Sequence, residues 1–236
     1  ELSFDSRWLV TVAGRTLRIF DAASSQPHGE PIVLPATPLR VELARAAPLL
    51  LLTTGLHVDG KFVERLQAVD LARAELRDIE ASLPQYMSIF RVDPRGRYVM
   101  VAPSQEPRID IVDLGGGPNC PTLSPEGANA MSDVAIADGG DVAWVHLSPG
   151  RRRAAVLRWD LVNCSATVVA ENAHLGLSPA LVAYGDGVAV HRHFANELAL
   201  FGAEGLRGRV PTLPAARTIA QLALSDDGRR AAVATR

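Results

Sequence analysis

The side chains that could do chemistry in this 236-residue chain are few and scattered. His191 and His193 stand two apart, and because strand side chains alternate, both would project from one face and could share a metal ion. No third ligand is identifiable, so the pair reads as two histidines on a partly exposed strand and no metal is expected. Gly176-Leu177-Ser178-Pro179-Ala180 has the outline of a nucleophile elbow. Its last glycine is replaced, however, and proline after the serine removes a backbone donor that an oxyanion hole needs. The triple glycine Gly115-Gly116-Gly117 could cradle phosphate, but it lacks both a following helix and a Gly-Lys-Ser or Gly-Lys-Thr ending, so it reads as a flexible connection. The carboxylate pairs Asp226-Asp227 and Asp59 with Glu64 fall in expected hairpins, where exposure keeps them ionised and ordinary. Two groups suit recognition better than catalysis. One is the basic run Arg151-Arg152-Arg153 at a hairpin tip, and the other is His57 and Lys61 in the insert Gly55 to Lys61. These five residues are the candidate interaction surface, and no catalytic or cofactor-binding residue is assigned.

The elements that carry these residues repeat. Thr16 to Asp21 is a strand pattern that ends in Asp and runs into a small-residue turn. It returns at Arg65 to Asp70, Arg108 to Asp113 and Val156 to Asp160, and in degenerate form at Glu197 to Phe201. The closing Asp residues 21, 70, 113 and 160 are spaced by 49, 43 and 47. A second marker, the turn glycines Gly96, Gly140, Gly187 and Gly228, is spaced by 44, 47 and 41, each ahead of another apolar run. Two markers sharing one period argue for stacked four-stranded units of a β-propeller. The Asp closes a half-buried strand, where its carboxylate can accept turn amides, and the Gly permits the positive φ of the hairpin before it.

These residues resemble the bacterial WD-repeat propellers, best over Leu17 to Ser24 running on to Gly29-Glu30-Pro31-Ile32, with one literal Trp-Asp pair at Trp159-Asp160. The Gly-His dipeptide usual in such repeats is missing from every unit. The expected fold is all-β, a propeller of four-stranded antiparallel blades with five nearly complete and a sixth begun. It is read as a single domain over 1–236, truncated at both ends. Unit one begins with an inner strand at Glu1 to Phe4, and Glu75 to Ile79 is an outer strand although its spacing could pass for a helix.

Composition sets further bounds. A hydrophobic share of 47% supplies a core, and a net charge of −2 gives no basic field for nucleic acid. No apolar run is long enough to cross a membrane as a helix, so no membrane insertion by this segment is expected. Lys61 is the only lysine. Cys120 and Cys164 lie in corresponding turns of adjacent units. An even count permits a disulfide, but outer turns of neighbouring blades splay apart, so the two are expected to stay unbridged. The cytoplasm is favoured, with a tethered periplasmic sensor as the alternative.

The function expected is a non-catalytic interaction or ligand-sensing module, binding a protein or small molecule at a propeller face. Resemblance to bacterial WD-repeat chains implies a larger signalling parent, for instance one carrying a kinase. The alternative is a metal-assisted hydrolase whose inner strands supply Glu42, Asp93 and Asp133 to a central channel.

Overall fold

A computed structural model describes residue 3 and residues 7–84, 86–104, 106–118, 120, 122–125, 130–148, 155–171, 180–191, 197–211, 219–224 and 231–235. Among the described residues every regular element is a strand. Two compact units are formed, residues 1–101 with 112–117 and residues 102–111 with 118–236.

The first sheet is β1 (Trp8–Ala13), β2 (Thr16–Asp21) and β3 (Ile32–Val33), joined antiparallel in that order. The expected inner strand at Glu1 to Phe4 lies outside the described residues apart from Ser3, whose N–H donates to Trp8 O and whose Oγ accepts from Trp8 N–H, both at 2.8 Å. The second sheet is a meander of β4 (Pro38–Leu43), β5 (Leu49–Val58), β6 (Lys61–Asp70) and β7 (Glu75–Ile79). The third holds β8 (Met87–Val92), β9 (Tyr98–Pro103), β10 (Ile109–Asp113) and β11 (Thr122–Leu123). The fourth is β12 (Ala130–Ile136), β13 (Val142–Ser148), β14 (Ala155–Asp160) and β15 (Ser165–Glu171). The fifth is β16 (Ala180–Tyr184), β17 (Gly187–His191), β18 (Glu197–Gly202) and β19 (Gly205–Pro211), and the sixth pairs β20 (Ile219–Leu224) with β21 (Ala231–Thr235). Consecutive four-stranded antiparallel meanders of this kind are the blades of a β-propeller.

Blade stacking explains the apolar runs. In β5, Leu50 and Leu52 pack with Trp8, Val10, Leu17 and Ile19 of the first sheet, while Leu51 between them packs with Met87, Phe90 and Val99 of the third. A strand buried on both faces needs no polar alternation, which is why Leu49 to Leu52 is continuous leucine. In the other unit Trp144 and Val156 of the fourth sheet pack on Val188, Val190 and Phe201 of the fifth.

The repeated Asp is a turn cap, as the sequence predicts. Asp21 Oδ1 accepts from Ala23 N–H, Ser24 N–H and the Ser24 hydroxyl at 3.1, 2.8 and 2.9 Å. Asp70 takes Ala72 and Arg73 N–H at 2.9 and 3.1 Å, and Asp160 takes Val162 and Asn163 N–H at 3.0 and 2.9 Å. Asp113 takes the amides of Gly115 and Gly117 at 2.9 and 2.8 Å, so the triple glycine cradles the protein's own carboxylate. The glycine marker holds at two of its three described positions, Gly228 lying outside the described residues. Gly96 and Gly140 have φ of 71° and 72°, whereas in the β16–β17 turn the positive φ belongs to Gly185. At Gly187 the constraint is a close approach, since a Cβ there would stand 2.6 Å from Phe201 O.

One expectation is overturned. Cys120 and Cys164 form a disulfide with Cα atoms 5.4 Å apart. Splaying of outer turns does not prevent it because Cys120 is not at a turn tip. It sits buried just ahead of the two-residue strand β11, while Cys164 ends the exposed β14–β15 turn at a φ of 53°.

Candidate functional site

The insert that carries His57 and Lys61 is strand, not loop. β5 and β6 each run ten residues, where the corresponding pairs β9 and β10, β13 and β14, and β17 and β18 run five to seven. The reason lies in Asp59-Gly60. Their φ values of 51° and 75° make the two-residue turn whose twist matches that of the flanking strands, and it closes on the pair Val58↔Lys61. The register then continues unbroken through His57↔Phe62, Leu56↔Val63, Gly55↔Glu64 and Thr54↔Arg65.

The flanking strands stop short of this tip. β4 pairs with β5 only from Leu50 to Thr54, and β7 pairs with β6 only from Leu66 to Asp70. Gly55 to Val58 and Lys61 to Arg65 therefore continue past the pairing with β4 and β7 as a two-stranded ribbon. On one face, Val58 and Val63 are 41% and 39% exposed beside Lys61 and Arg65. On the other, the His57 ring meets the Phe62 ring edge-on at 5.7 Å, and Phe62 covers Gly55, where a Cβ would stand 2.5 Å from its ring carbons.

A side-chain clamp stiffens the stem. Arg40 Nη1 is 3.1 Å from Glu64 Oε2, and Arg40 Nη2 donates to Met87 O at the start of β8. The Glu64 side chain is only 4% exposed. Sequence reasoning treated Glu64 as an ordinary exposed acid paired with Asp59, and that is incorrect: Asp59 is in the turn, and Glu64 belongs to Arg40. Leu39, in the register shift between Pro38 and Arg40, adds a half-exposed apolar side chain beside Gly55. Tyr86, just before Met87, is exposed at a φ of 55°.

Of the other candidates, Arg151, Arg152 and Arg153 lie outside the described residues. So do His193, the side chain of His191, the elbow at Gly176 to Pro179, and Asp226-Asp227. Each of the three acids expected at a channel is bonded within the fold. Asp93 is fully buried in the β8–β9 turn, where it accepts Arg95 and Arg97 N–H at 3.2 and 3.0 Å and pairs with the Arg97 guanidinium at 3.1 Å. Glu42 Oε1 accepts Val92 N–H at 3.1 Å, from inner strand β4 to inner strand β8. Asp133 Oδ2 accepts Leu181 N–H at 2.9 Å, from β12 to β16. These two acids tie one blade's inner strand to the backbone of the next.

A pair absent from the sequence reading lies beside Asp133. Ser132 Oγ and His146 Nδ1 are 2.5 Å apart, and His146 is fully buried with Nε2 finding no hydrogen-bond partner among the described residues. Burial drives its pKa down to about 4, so it is neutral near pH 7. The available signal was its place at the end of an apolar run, cross-strand from Asp133. The turn acids are also lowered, but by hydrogen bonds that favour the charged form: the Ser24 amide for Asp21, the Gly115 amide for Asp113 and the Asn163 amide for Asp160 hold these carboxyls below their ordinary value. Among the described residues there is no cluster of three or more potential metal ligands, and no helix long and apolar enough to cross a membrane.

No protein-family model matches the chain, and no curated protein matches its sequence. Solved structures do share its fold. One of them, a chain titled Kuenenia stuttgartiensis Hydrazine Synthase, superposes with a TM-score of 0.67 at 15% identity, covering 98% of this chain and 71% of that one. At that identity the likeness is one of fold. It supports, with the repeated antiparallel sheets, an all-β protein of the β-propeller class.

Proposed function

We propose that this chain is a non-catalytic recognition module of a larger bacterial protein, and that it contacts a protein partner through the β5–β6 hairpin. The observation that carries this reading is the ribbon itself. It is five residues longer on β6 than β7 can cover, ends in an idealised turn, is braced by a buried ion pair, and presents valines and cations to solvent. A projecting ribbon suits the surface of another protein, whereas small ligands are held in concave sites. The engagement of Glu42, Asp93 and Asp133 in backbone and arginine bonds supports a non-catalytic role over a channel hydrolase. Kinship with WD-repeat chains, and with it a signalling parent, is supported by the capped Asp turns and Trp159-Asp160. The disulfide supports a periplasmic or extracellular setting over the cytoplasm.

The test is photo-crosslinking in the native host with benzoylphenylalanine at Val58, against the same probe at exposed Val162 in the β14–β15 turn. A discrete adduct from position 58 and none from 162 is expected. No adduct from 58, or the same adducts from both, overturns the reading.

A further inference from the structure

We infer that the packed interface between the fourth and fifth sheets binds a water molecule, held by the Trp144 indole N–H and the His146 imidazole. This goes beyond the recognition role proposed for the hairpin and does not depend on it. Trp144 and His146 are both fully buried, and among the described residues neither Trp144 Nε1 nor His146 Nε2 has a hydrogen-bond partner. The two residues stand two apart on β13, so their side chains leave the strand on one face. That face is turned to the fifth sheet. Trp144, and Val156 directly across from His146 on β14, pack there on Val188, Val190 and Phe201. An indole N–H can only donate, and a buried donor without an acceptor is costly, so the two groups call for an acceptor between the sheets.

Ser132 fixes how His146 uses its second nitrogen. Ser132 Oγ lies 2.5 Å from His146 Nδ1 and 3.4 Å from His146 O. The longer distance is outside the range of a good O–H···O bond, so the hydroxyl proton goes to Nδ1, which accepts it. Burial keeps this imidazole neutral near pH 7, with its pKa lowered to about 4. A neutral imidazole that accepts at Nδ1 carries its own proton on Nε2, so the interface offers two N–H donors. Asp133 decides what accepts from them. Its carboxylate stands directly across from His146 on β12 and accepts Val134 N–H at 2.8 Å and Leu181 N–H at 2.9 Å. A bound anion would face that carboxylate in a buried setting, where like charges repel strongly. A water instead has a lone pair for each N–H and a proton for the carboxylate, and about three hydrogen bonds are usual for a buried water.

The experiment is a high-resolution crystal structure of the full chain, grown with sodium bromide so that a bound halide shows by its anomalous signal. A single peak is expected within about 2.7–3.2 Å of both Trp144 Nε1 and His146 Nε2, without anomalous signal, and it is expected to be lost in Trp144→Phe. No peak in reach of both nitrogens overturns the inference. So does a protein acceptor in its place, an anomalous signal at the peak, or a peak that persists unchanged in Trp144→Phe. Should that variant not fold, nuclear magnetic resonance on the wild-type chain decides. The Trp144 indole proton is expected to show a cross peak to water that changes sign between the laboratory-frame and rotating-frame Overhauser spectra, which separates contact from proton exchange. Nitrogen shifts are expected to place the His146 proton on Nε2. Absence of that cross peak, or a proton on Nδ1, overturns the inference.

Discussion

Replacing both cysteines, Cys120→Ser with Cys164→Ser, is expected to remove a large part of the stability of the unit that contains them. The bridge closes a sequence separation of 44 residues. In the chain-entropy account, a loop of that length restricts the unfolded ensemble by about 13 cal/mol/K, or about 4 kcal/mol at 25 °C. Local structure points the same way. The outer strand β11 is paired with β10 through only Ile109↔Leu123 and Asp110↔Thr122, so Cys120 holds in place a strand that two residue pairs would hold poorly. The assay is equilibrium unfolding in urea, followed by the fluorescence of Trp144 and Trp159, both within the closed loop and both buried. At a denaturant slope of about 2–3 kcal/mol per M, the midpoint moves down by roughly 1.3–2 M. Wild type treated with dithiothreitol moves to the same place, since the Cys164 side of the bridge is exposed. An unchanged midpoint in the double variant would refute the argument, as would two free thiols in the untreated protein.

Three further outcomes follow from the same structure. His146 has a folded-state pKa of about 4 against 6.5 for an unperturbed histidine, so the unfolded chain binds its proton first. Stability therefore falls by about 3 kcal/mol between pH 6.5 and 4 and then levels off for this group, and His146→Asn should flatten that window in a series of pH-dependent melts. The turn carboxyls titrate lower. Their stabilisation is complete above the unfolded value of 3.8 and fades as pH falls below it, so replacing Asp21, Asp113 and Asp160 together by Asn should leave a shallower acid limb below pH 4, read by the same melts. Arg40→Ala strands the buried Glu64 carboxylate and should lower global stability by about 3–5 kcal/mol, whereas Arg40→Ala with Glu64→Leu should recover much of it.

The blade period was legible because it is written in backbone chemistry. An Asp that must accept two turn amides leaves a mark in any sequence, and strands such as Thr16–Asp21 and Glu75–Ile79 were bounded correctly from the repeat it marks. Side-chain destinations were less legible, since they depend on where neighbouring blades put their partners. Asp93 lies at the end of an inner strand like a channel acid, but Arg97, four residues on, turns it into a hairpin cap. Glu64 looks exposed because its surroundings in sequence are polar, yet Arg40, from a strand on the far side of β5, buries it. The insert at Gly55 to Lys61 was described as a loop and is strand, although Asp59-Gly60 is the strongest short hairpin signal there is. The disulfide joins a buried residue ahead of β11 to the β14–β15 turn, and no local pattern encodes the distance between them.

The recognition claim is tested most directly by shortening the hairpin without disturbing its stem. Joining Leu56-Asp59-Gly60-Val63, by deleting His57, Val58, Lys61 and Phe62, moves the same turn onto the next close pair and leaves Arg40 with Glu64. Calorimetric titration of the partner captured at position 58 would then compare the two chains. The account predicts an affinity loss of about 100-fold with the thermal midpoint little changed, as expected when contacts at the centre of an interface are removed. Equal affinity in the shortened chain would contradict it.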